Sequence, residues 1–129
     1  MKKVLQPKKL SDPRPRYSQA ILTKGGSLLF IAGQTAVDEK GNIVGKGDIE
    51  AQARQVFENI KTALKEAGGT LDNLVKTTTY ITDIKYREAL GPVRQEYYKK
   101  SAPTSTLIVV KGLANEDYLL EIEGIAVID

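Results

Sequence analysis

Apolar and polar positions alternate along the end of the chain, over residues 118–128. Because side chains alternate between the two faces of a β-strand, this run predicts a strand. One face is wholly apolar, with Leu120, Ile122, Gly124, Ala126 and Ile128. The opposite face combines apolar residues with Glu121 and Glu123. A carboxylate among apolar groups is costly unless something compensates it, so these two are the first functional candidates. We expect their partner in the preceding apolar run, residues 104–111.

Two other stretches repeat apolar residues at helical spacing. The first begins behind Asp48, a good N-cap, and its pattern ends at Gly68 and Gly69. The second follows Tyr86 and contains Gly91 and Pro92. A proline inside a helix removes one hydrogen bond, so the helix either kinks or restarts with the proline at its first position. We expect one kinked helix.

The remaining apolar runs are short and rich in β-branched residues, which predicts strands over residues 17–23, 28–34 and 75–82. Glycines at 25 and 26 indicate a hairpin between the first two. The predicted order is β–β–α–β–α–β–β with hairpins at both ends. It indicates an α+β fold, a mixed sheet with two helices on one face. The apolar residues on the other face predict burial against another subunit.

The length of 129 residues fits a single domain over residues 1–129, and the proline-punctuated residues 1–15 predict an N-terminal arm. The chain has no His and no Cys. This excludes a Ser–His–Asp triad, a cysteine nucleophile, a Cys/His zinc site and disulfides within the chain. No spaced cluster of aspartates predicts a metal site. Since no apolar run approaches the ~20 residues of a membrane span, we expect a cytoplasmic protein.

Several short blocks follow one another along the chain: Arg16-Tyr-Ser-Gln19, Phe30-Ile-Ala-Gly-Gln-Thr35, Ala51-Gln-Ala-Arg54 with Asn59-Ile-Lys61, Val75-Lys-Thr-Thr78, and Leu120-Glu-Ile-Glu123 before Ala126-Val127. Together, in this order, they resemble the Rid (RidA/YjgF) family of reactive intermediate deaminases. The resemblance implies a chorismate-mutase-like fold of the trimeric bacterial type. It also implies a homotrimer with ligand clefts between subunits. Active members hydrolyse a 2-imino acid or enamine to a 2-keto acid and ammonia, without cofactor or metal.

The resemblance assigns roles to three residues. Glu121 matches the catalytic glutamate that holds the attacking water. Tyr17 matches a tyrosine that lines the cleft, and Gly33 matches a glycine whose backbone faces the ligand. The family's carboxylate-binding arginine is absent, because Ser105 stands at its place. A family asparagine at the second helix corresponds to Gly91.

Loss of this arginine weakens the expectation of deaminase activity. A bidentate guanidinium–carboxylate pair supplies charge and fixed geometry, whereas a hydroxyl makes a single hydrogen bond. At ~1.4 kcal/mol per decade, the loss costs about one to two decades of affinity. Thr104, Ser105 and Thr106 predict a neutral, hydroxyl-rich cleft floor suited to an uncharged polar metabolite.

Three functions follow as hypotheses. The favoured one is a homotrimer that binds a small metabolite in its intersubunit clefts and is not an efficient 2-imino acid deaminase. The alternatives are an enamine/imine deaminase and an RNA-binding or ribonuclease-type protein. The net charge of +3 is dispersed, which disfavours nucleic acid as a partner. Arg16, Arg94 and Lys111 are either surface charges or cations that enter the cleft.

Overall fold

The structure, a computed structural model, describes residues 1–129 and contains six strands and two helices. In chain order the elements are β1 (Lys2–Leu5), β2 (Ala20–Thr23), β3 (Ser27–Gln34), α1 (Ile49–Glu66), β4 (Leu74–Ile81), α2 (Tyr86–Tyr97), β5 (Thr104–Val109) and β6 (Leu120–Ile128). A 3₁₀ turn, Leu71–Asn73, precedes β4. Neither helix combines the length and the apolarity needed to cross a membrane.

Four strands form the main sheet in the order β3–β6–β4–β5. Strand β6 is antiparallel to both of its neighbours, whereas β4 and β5 are parallel. Parallel neighbours need a crossover connection, and α2 supplies it. Strands β1 and β2 pair in a separate two-stranded sheet. The predicted α+β architecture, with two helices on one face of a mixed sheet, is confirmed.

The predicted hairpins at the two ends do not form. Gly25 and Gly26 have positive φ and reverse the chain, but β2 pairs with β1 while β3 pairs with β6. At the other end β5 pairs with β4, so residues 104–111 do not lie beside Glu121 and Glu123 within one chain. A turn signal reverses the chain but does not select which strand completes the ladder. Part of the predicted N-terminal arm is strand β1.

Both helices follow from their sequence signals. The Asp48 side chain accepts a hydrogen bond from the backbone N–H of Ala51 at 3.1 Å, and this caps α1. Past its end, Gly68 has a φ of +79°, a conformation that disfavours residues with a Cβ. Helix α2 is one continuous helix that contains Pro92, so it does not restart there.

The core lies between the helices and the inner face of the sheet. Phe57, Ile60 and Leu64 of α1 are fully buried and belong to the same cluster as Leu120 and Ile122 of β6. Burial of each such side chain contributes about 1.5–3 kcal/mol. This packing places the alternate residues of β6, including Glu121 and Glu123, on the outer face of the sheet.

Candidate functional site

The end of the N-terminal arm is fastened to the start of β5 by Ser18. Its N–H donates to the carbonyl of Pro103 at 3.0 Å, and its hydroxyl donates to the carbonyl of Ala102 at 2.6 Å. Ser18 also forms an isolated parallel bridge with Thr104 and is only 3% exposed. These contacts hold the preceding residues, Arg16 and Tyr17, beside β5.

Tyr17 and Ser105 line one pocket of about 350 Å³ on the helix side of β5. That volume lies near the lower end of the range for small-molecule sites. Three arginines also line it, and no Asp or Glu does; the lining residues are Arg16, Tyr17, Ile84, Arg87, Gly91, Arg94, Ser105 and Leu107. The pocket is therefore cationic, with two hydroxyl-bearing side chains.

Helix α2 forms one wall of this pocket through a single stripe. Arg87, Gly91 and Arg94 are related by i, i+4 and i+7, so they lie on the same face of the helix. A Cβ built on Gly91 would meet no atom within 4 Å. The stripe thus presents two guanidinium-bearing residues with open space between them.

The guanidinium of Arg94 has a neutral partner in the chain. Its Nη2 donates to the hydroxyl of Thr79 on β4 at 3.3 Å. Burial lowers the pKa of Arg94, and the nearby charge of Arg87 acts in the same direction. Arginine nevertheless stays protonated in proteins, so a positive charge is held inside the pocket.

A second group of functional candidates lies on the outer face of the sheet. The ladder between β3 and β6 shifts register between Ile31 and Gln34, which places a bulge at Ala32 and Gly33. The Glu121 side chain lies directly against this bulge, since a Cβ on Gly33 would be 2.5 Å from Glu121 Oε2. A side chain at position 33 would force the Glu121 carboxylate to move, so the present position of this carboxylate relies on the glycine.

Glu123 lies two residues further along the same face. Its Oε1 accepts a hydrogen bond from the Tyr80 hydroxyl at 2.7 Å. This bond raises the pKa of Tyr80. Glu123 therefore has its partner on β4, the strand beside β6. Across the chain, no group of three or more His, Cys, Asp or Glu side chains is arranged to hold a metal ion.

The residues predicted to form one site lie in two separate places. It brings Tyr17 and Ser105 together on the helix side, and Glu121 and Gly33 together on the outer face. Strand β4 lies between β5 and β6, so the two groups are separated within one chain.

The three hydroxyls predicted to form a neutral floor are not equivalent. Ser105 faces the cationic pocket, whereas Thr106 is exposed on the opposite face of β5. The Thr104 hydroxyl donates to the carbonyl of Val75 at 2.7 Å. Strand alternation separates these neighbours, and the environment of Ser105 is cationic where the sequence predicted it to be neutral.

The three cations whose role the sequence did not decide also lie in different places. Arg16 and Arg94 line the pocket of Ser105, whereas Lys111 is exposed and lies beyond the end of β5. Arg87 also lines the pocket but was not among the residues predicted from the sequence. Its signal was the spacing of seven residues, two helical turns, between Arg87 and Arg94.

Comparison with known proteins identifies the class to which this fold and these two residue groups belong. The family described as Endoribonuclease L-PSP matches residues 8–128, and the chain belongs to this family. A RutC family protein from Pyrococcus horikoshii is 42% identical over 126 residues, which cover 98% of each chain.

Solved structures agree with this assignment. YyfB from Yersinia pestis, described as a protein of unknown function of the conserved Rid protein family, superposes with a TM-score of 0.91 at 30% identity. The match covers 98% of both chains. Yeast Mmf1 superposes with a TM-score of 0.75 at 28% identity over the full length of both chains. The resemblance to the Rid family is thus confirmed.

Proposed function

We propose that this protein is a homotrimer that binds a small metabolite in clefts between subunits and is not an efficient 2-imino acid deaminase. The observation that carries the proposal is the pocket shared by Tyr17, Gly91 and Ser105. Its cations come from the arm and from α2, and the only polar side chain that β5 contributes is that of Ser105. The pocket can bind a ligand through these cations, but they are placed differently from an arginine at position 105 on β5.

The cation that would hold a substrate carboxylate lies on α2 instead of β5, and this difference affects catalysis. A carboxylate held by Arg94 would be bound from the helix side, whereas an arginine at position 105 would bind it from the strand. Hydrolysis needs the imine carbon within attack distance of the water that Glu121 would hold, and displacement by about 1 Å can cost two decades in rate. We therefore expect tight positioning of a ligand without efficient imine hydrolysis.

The uncovered outer face of the sheet supports the homotrimer. Phe30 is 71% exposed, Leu28 is 64% exposed and Ile108 is 40% exposed in the single chain. Phe30 is paired in register with the half-buried Ile125. Leu28, Phe30 and Ile125 lie together on the paired strands β3 and β6, and an exposed apolar patch of this kind marks an interface. In the proposal, other subunits cover this face and bring Glu121 of one chain toward the Ser105 pocket of another.

The alternative is an active enamine/imine deaminase, and the contact between Glu121 and Gly33 favours it. The residues matched to the water-holding glutamate and the ligand-facing glycine lie together, as that chemistry requires. In this case Arg94 would serve as the carboxylate clamp in place of the missing arginine.

An imine-hydrolysis assay distinguishes the proposed metabolite-binding protein from the alternative deaminase. An amino acid oxidase generates 2-iminopropanoate, semicarbazide traps it, and an active Rid-type deaminase serves as the positive control. We expect the sedimentation-verified trimer to leave the rate of semicarbazone formation unchanged. Faster loss of the imine, abolished in Glu121→Gln, would overturn the proposal and establish the deaminase.

The Ser105→Arg variant in the same assay tests whether the missing arginine accounts for the weak deaminase activity that we propose. We expect no gain, because a fourth guanidinium would enter a pocket that already contains three. A gain of one decade or more would mean that the missing arginine alone accounts for the weak activity, and that the cleft is otherwise that of a deaminase.

RNA binding is a further candidate because of the family's description and one basic groove. Lys61, Lys65 and Lys99 line this groove beside Glu58 and Asp72. The two carboxylates reduce its positive charge, so we expect at most weak retention. Fluorescence anisotropy of a single-stranded RNA at about 50 and 200 mM salt is the test, since phosphate binding weakens by decades over this range. Tight, strongly salt-dependent binding would favour the RNA function.

A further inference from the structure

The arginine pocket contains more positive charge than the chain itself neutralises. Arg16, Arg87 and Arg94 take part in none of the chain's salt bridges. None of the residues that line the pocket is acidic. A charge removed from water is costly unless it is paired, and guanidinium pairs best with carboxylate or phosphate oxygens. The pocket therefore favours an anion from outside the chain, most strongly at the half-buried Arg94, because Arg16 and Arg87 are exposed to water.

The amount of charge favours an anion with more than one negative group. One carboxylate would leave two of the three guanidiniums without a counter-charge, whereas two would leave one. The exposed positions of Arg16 and Arg87 allow water to solvate the remaining charge. A dianion thus matches the pocket better than a monoanion does.

The layout of the cations favours two separated groups over one compact group. The Cα atoms of Arg87 and Arg94 are about 10 Å apart along α2, at a rise of ~1.5 Å per residue. The hydrogen bond to Thr79 holds the Arg94 guanidinium toward β4, and the space beside Gly91 is open. A short chain with an anionic group at each end spans such an arrangement.

We propose that this pocket binds a short dicarboxylate, with one carboxylate on Arg94 and the other near Arg87 and Arg16. The hydroxyls of Ser105 and Tyr17 are placed to contact a polar substituent between the two ends. The assignment rests on the proposed function, since it takes the pocket of Ser105 as the ligand site and names the class of its ligand.

Calorimetric titration of the purified protein at constant ionic strength tests the assignment. The probes are succinate and glutarate, with butyrate as the monocarboxylate and inorganic phosphate as the compact anion. We expect at least one dicarboxylate to bind ten-fold or more tightly than butyrate and phosphate. Equal affinities, or preference for phosphate, would overturn the dicarboxylate.

Substitution of Arg94 locates the binding. We expect Arg94→Gln to weaken dicarboxylate binding by about 10- to 100-fold, from the loss of a charge-assisted pair. Arg54→Gln is the matched control, because Arg54 is a half-buried arginine that pairs with Glu96 at 2.8 Å and does not line the pocket. Unchanged affinity in Arg94→Gln, or an equal loss in Arg54→Gln, would overturn the site.

A second variant covers misfolding of Arg94→Gln. Arg87 is exposed, so Arg87→Gln leaves the core intact, and we expect it to weaken succinate or glutarate binding by at least three-fold. If Arg94→Gln does not fold, unchanged affinity in Arg87→Gln overturns the site.

Sedimentation of the same samples separates this inference from the proposed function. A trimer that binds neither succinate nor glutarate contradicts the inference alone and leaves the proposed assembly standing. A monomer that binds succinate or glutarate contradicts the trimer and supports the dicarboxylate site.

Discussion

Gln52 is a polar side chain in the core, where it joins α1 to the segment before β6. It is fully buried, and its Nε2 donates to the carbonyls of Gly45 at 3.1 Å and Asp117 at 2.9 Å. Its Oε1 accepts from the N–H of Leu119 at 2.9 Å. The side-chain amide of Gln52 thus provides hydrogen-bond partners for three backbone groups, at Gly45, Asp117 and Leu119. The position of β6, and with it Glu121, depends on this residue.

Replacement of Gln52 by leucine should lower stability strongly. The volume is similar, but the N–H of Leu119 and the carbonyl of Asp117 lose their partner, so we expect the free energy of unfolding to fall by about 2–4 kcal/mol. Urea unfolding at fixed protein concentration measures it. Gln55→Leu is the control, because Gln55 is half-buried and donates only to Asn59, at 2.8 Å. A similar small loss in both variants would contradict the role of Gln52.

At the scale of elements, α2 shows how one helix serves both the core and the site. Leu90 and Val93 are buried, whereas Arg87, Gly91 and Arg94 form the wall of the pocket. Pro92 is exposed in the middle of this helix. It has no N–H for the helix ladder, and no packing contribution of an exposed side chain offsets that loss.

Replacement of Pro92 by alanine should therefore stabilise the fold. Alanine restores the N–H and favours the helix by up to about 3 kcal/mol. The greater conformational freedom of the unfolded chain opposes this gain by about 0.4–1 kcal/mol. We expect a net gain of about 1–2 kcal/mol in urea unfolding. Gln95→Ala, at an exposed position of the same helix, should change stability by less than about 0.5 kcal/mol. A loss of stability in Pro92→Ala would show that the site depends on an interrupted helix.

At the scale of the whole molecule, the two faces of the sheet have different roles. The inner face packs on the helices and forms the core, whereas the outer face presents Leu28, Phe30 and Ile125 around Glu123. The chain fills its core but leaves this apolar face uncovered. The assembly proposed here is the means by which that face would be removed from water.

A charge on the edge strand β3 of this face tests the assembly. Phe30 is 71% exposed, so Phe30→Glu should leave the fold of the single chain intact and put a charge into the proposed interface. We expect trimer dissociation to become at least 100-fold easier by sedimentation equilibrium. Leu10→Glu is the control, because Leu10 is 50% exposed on the arm, away from this face. Equal trimer stability in wild type and Phe30→Glu would reject this face as the interface.

The sequence alone predicted the elements and the family. Periodicity located both helices, the Asp48 cap and the buried face of β6, because these features depend on neighbours along the chain. The resemblance to the family led to the further prediction that Ser105 stands where active members have a carboxylate-binding arginine. Alternation separated Glu121 from the core, since a strand's two faces follow directly from its period of two.

Only the tertiary structure decided the strand order and the composition of the pocket. The hairpins were predicted from local turns, but the common core selected β6 as the neighbour of both β3 and β4. Likewise, Arg87 and Arg94 become a cation pair facing Ser105 only because α2 packs beside β5 after the crossover. Contacts between residues distant in sequence depend on the packing of whole elements, and that packing determines which charges face one another.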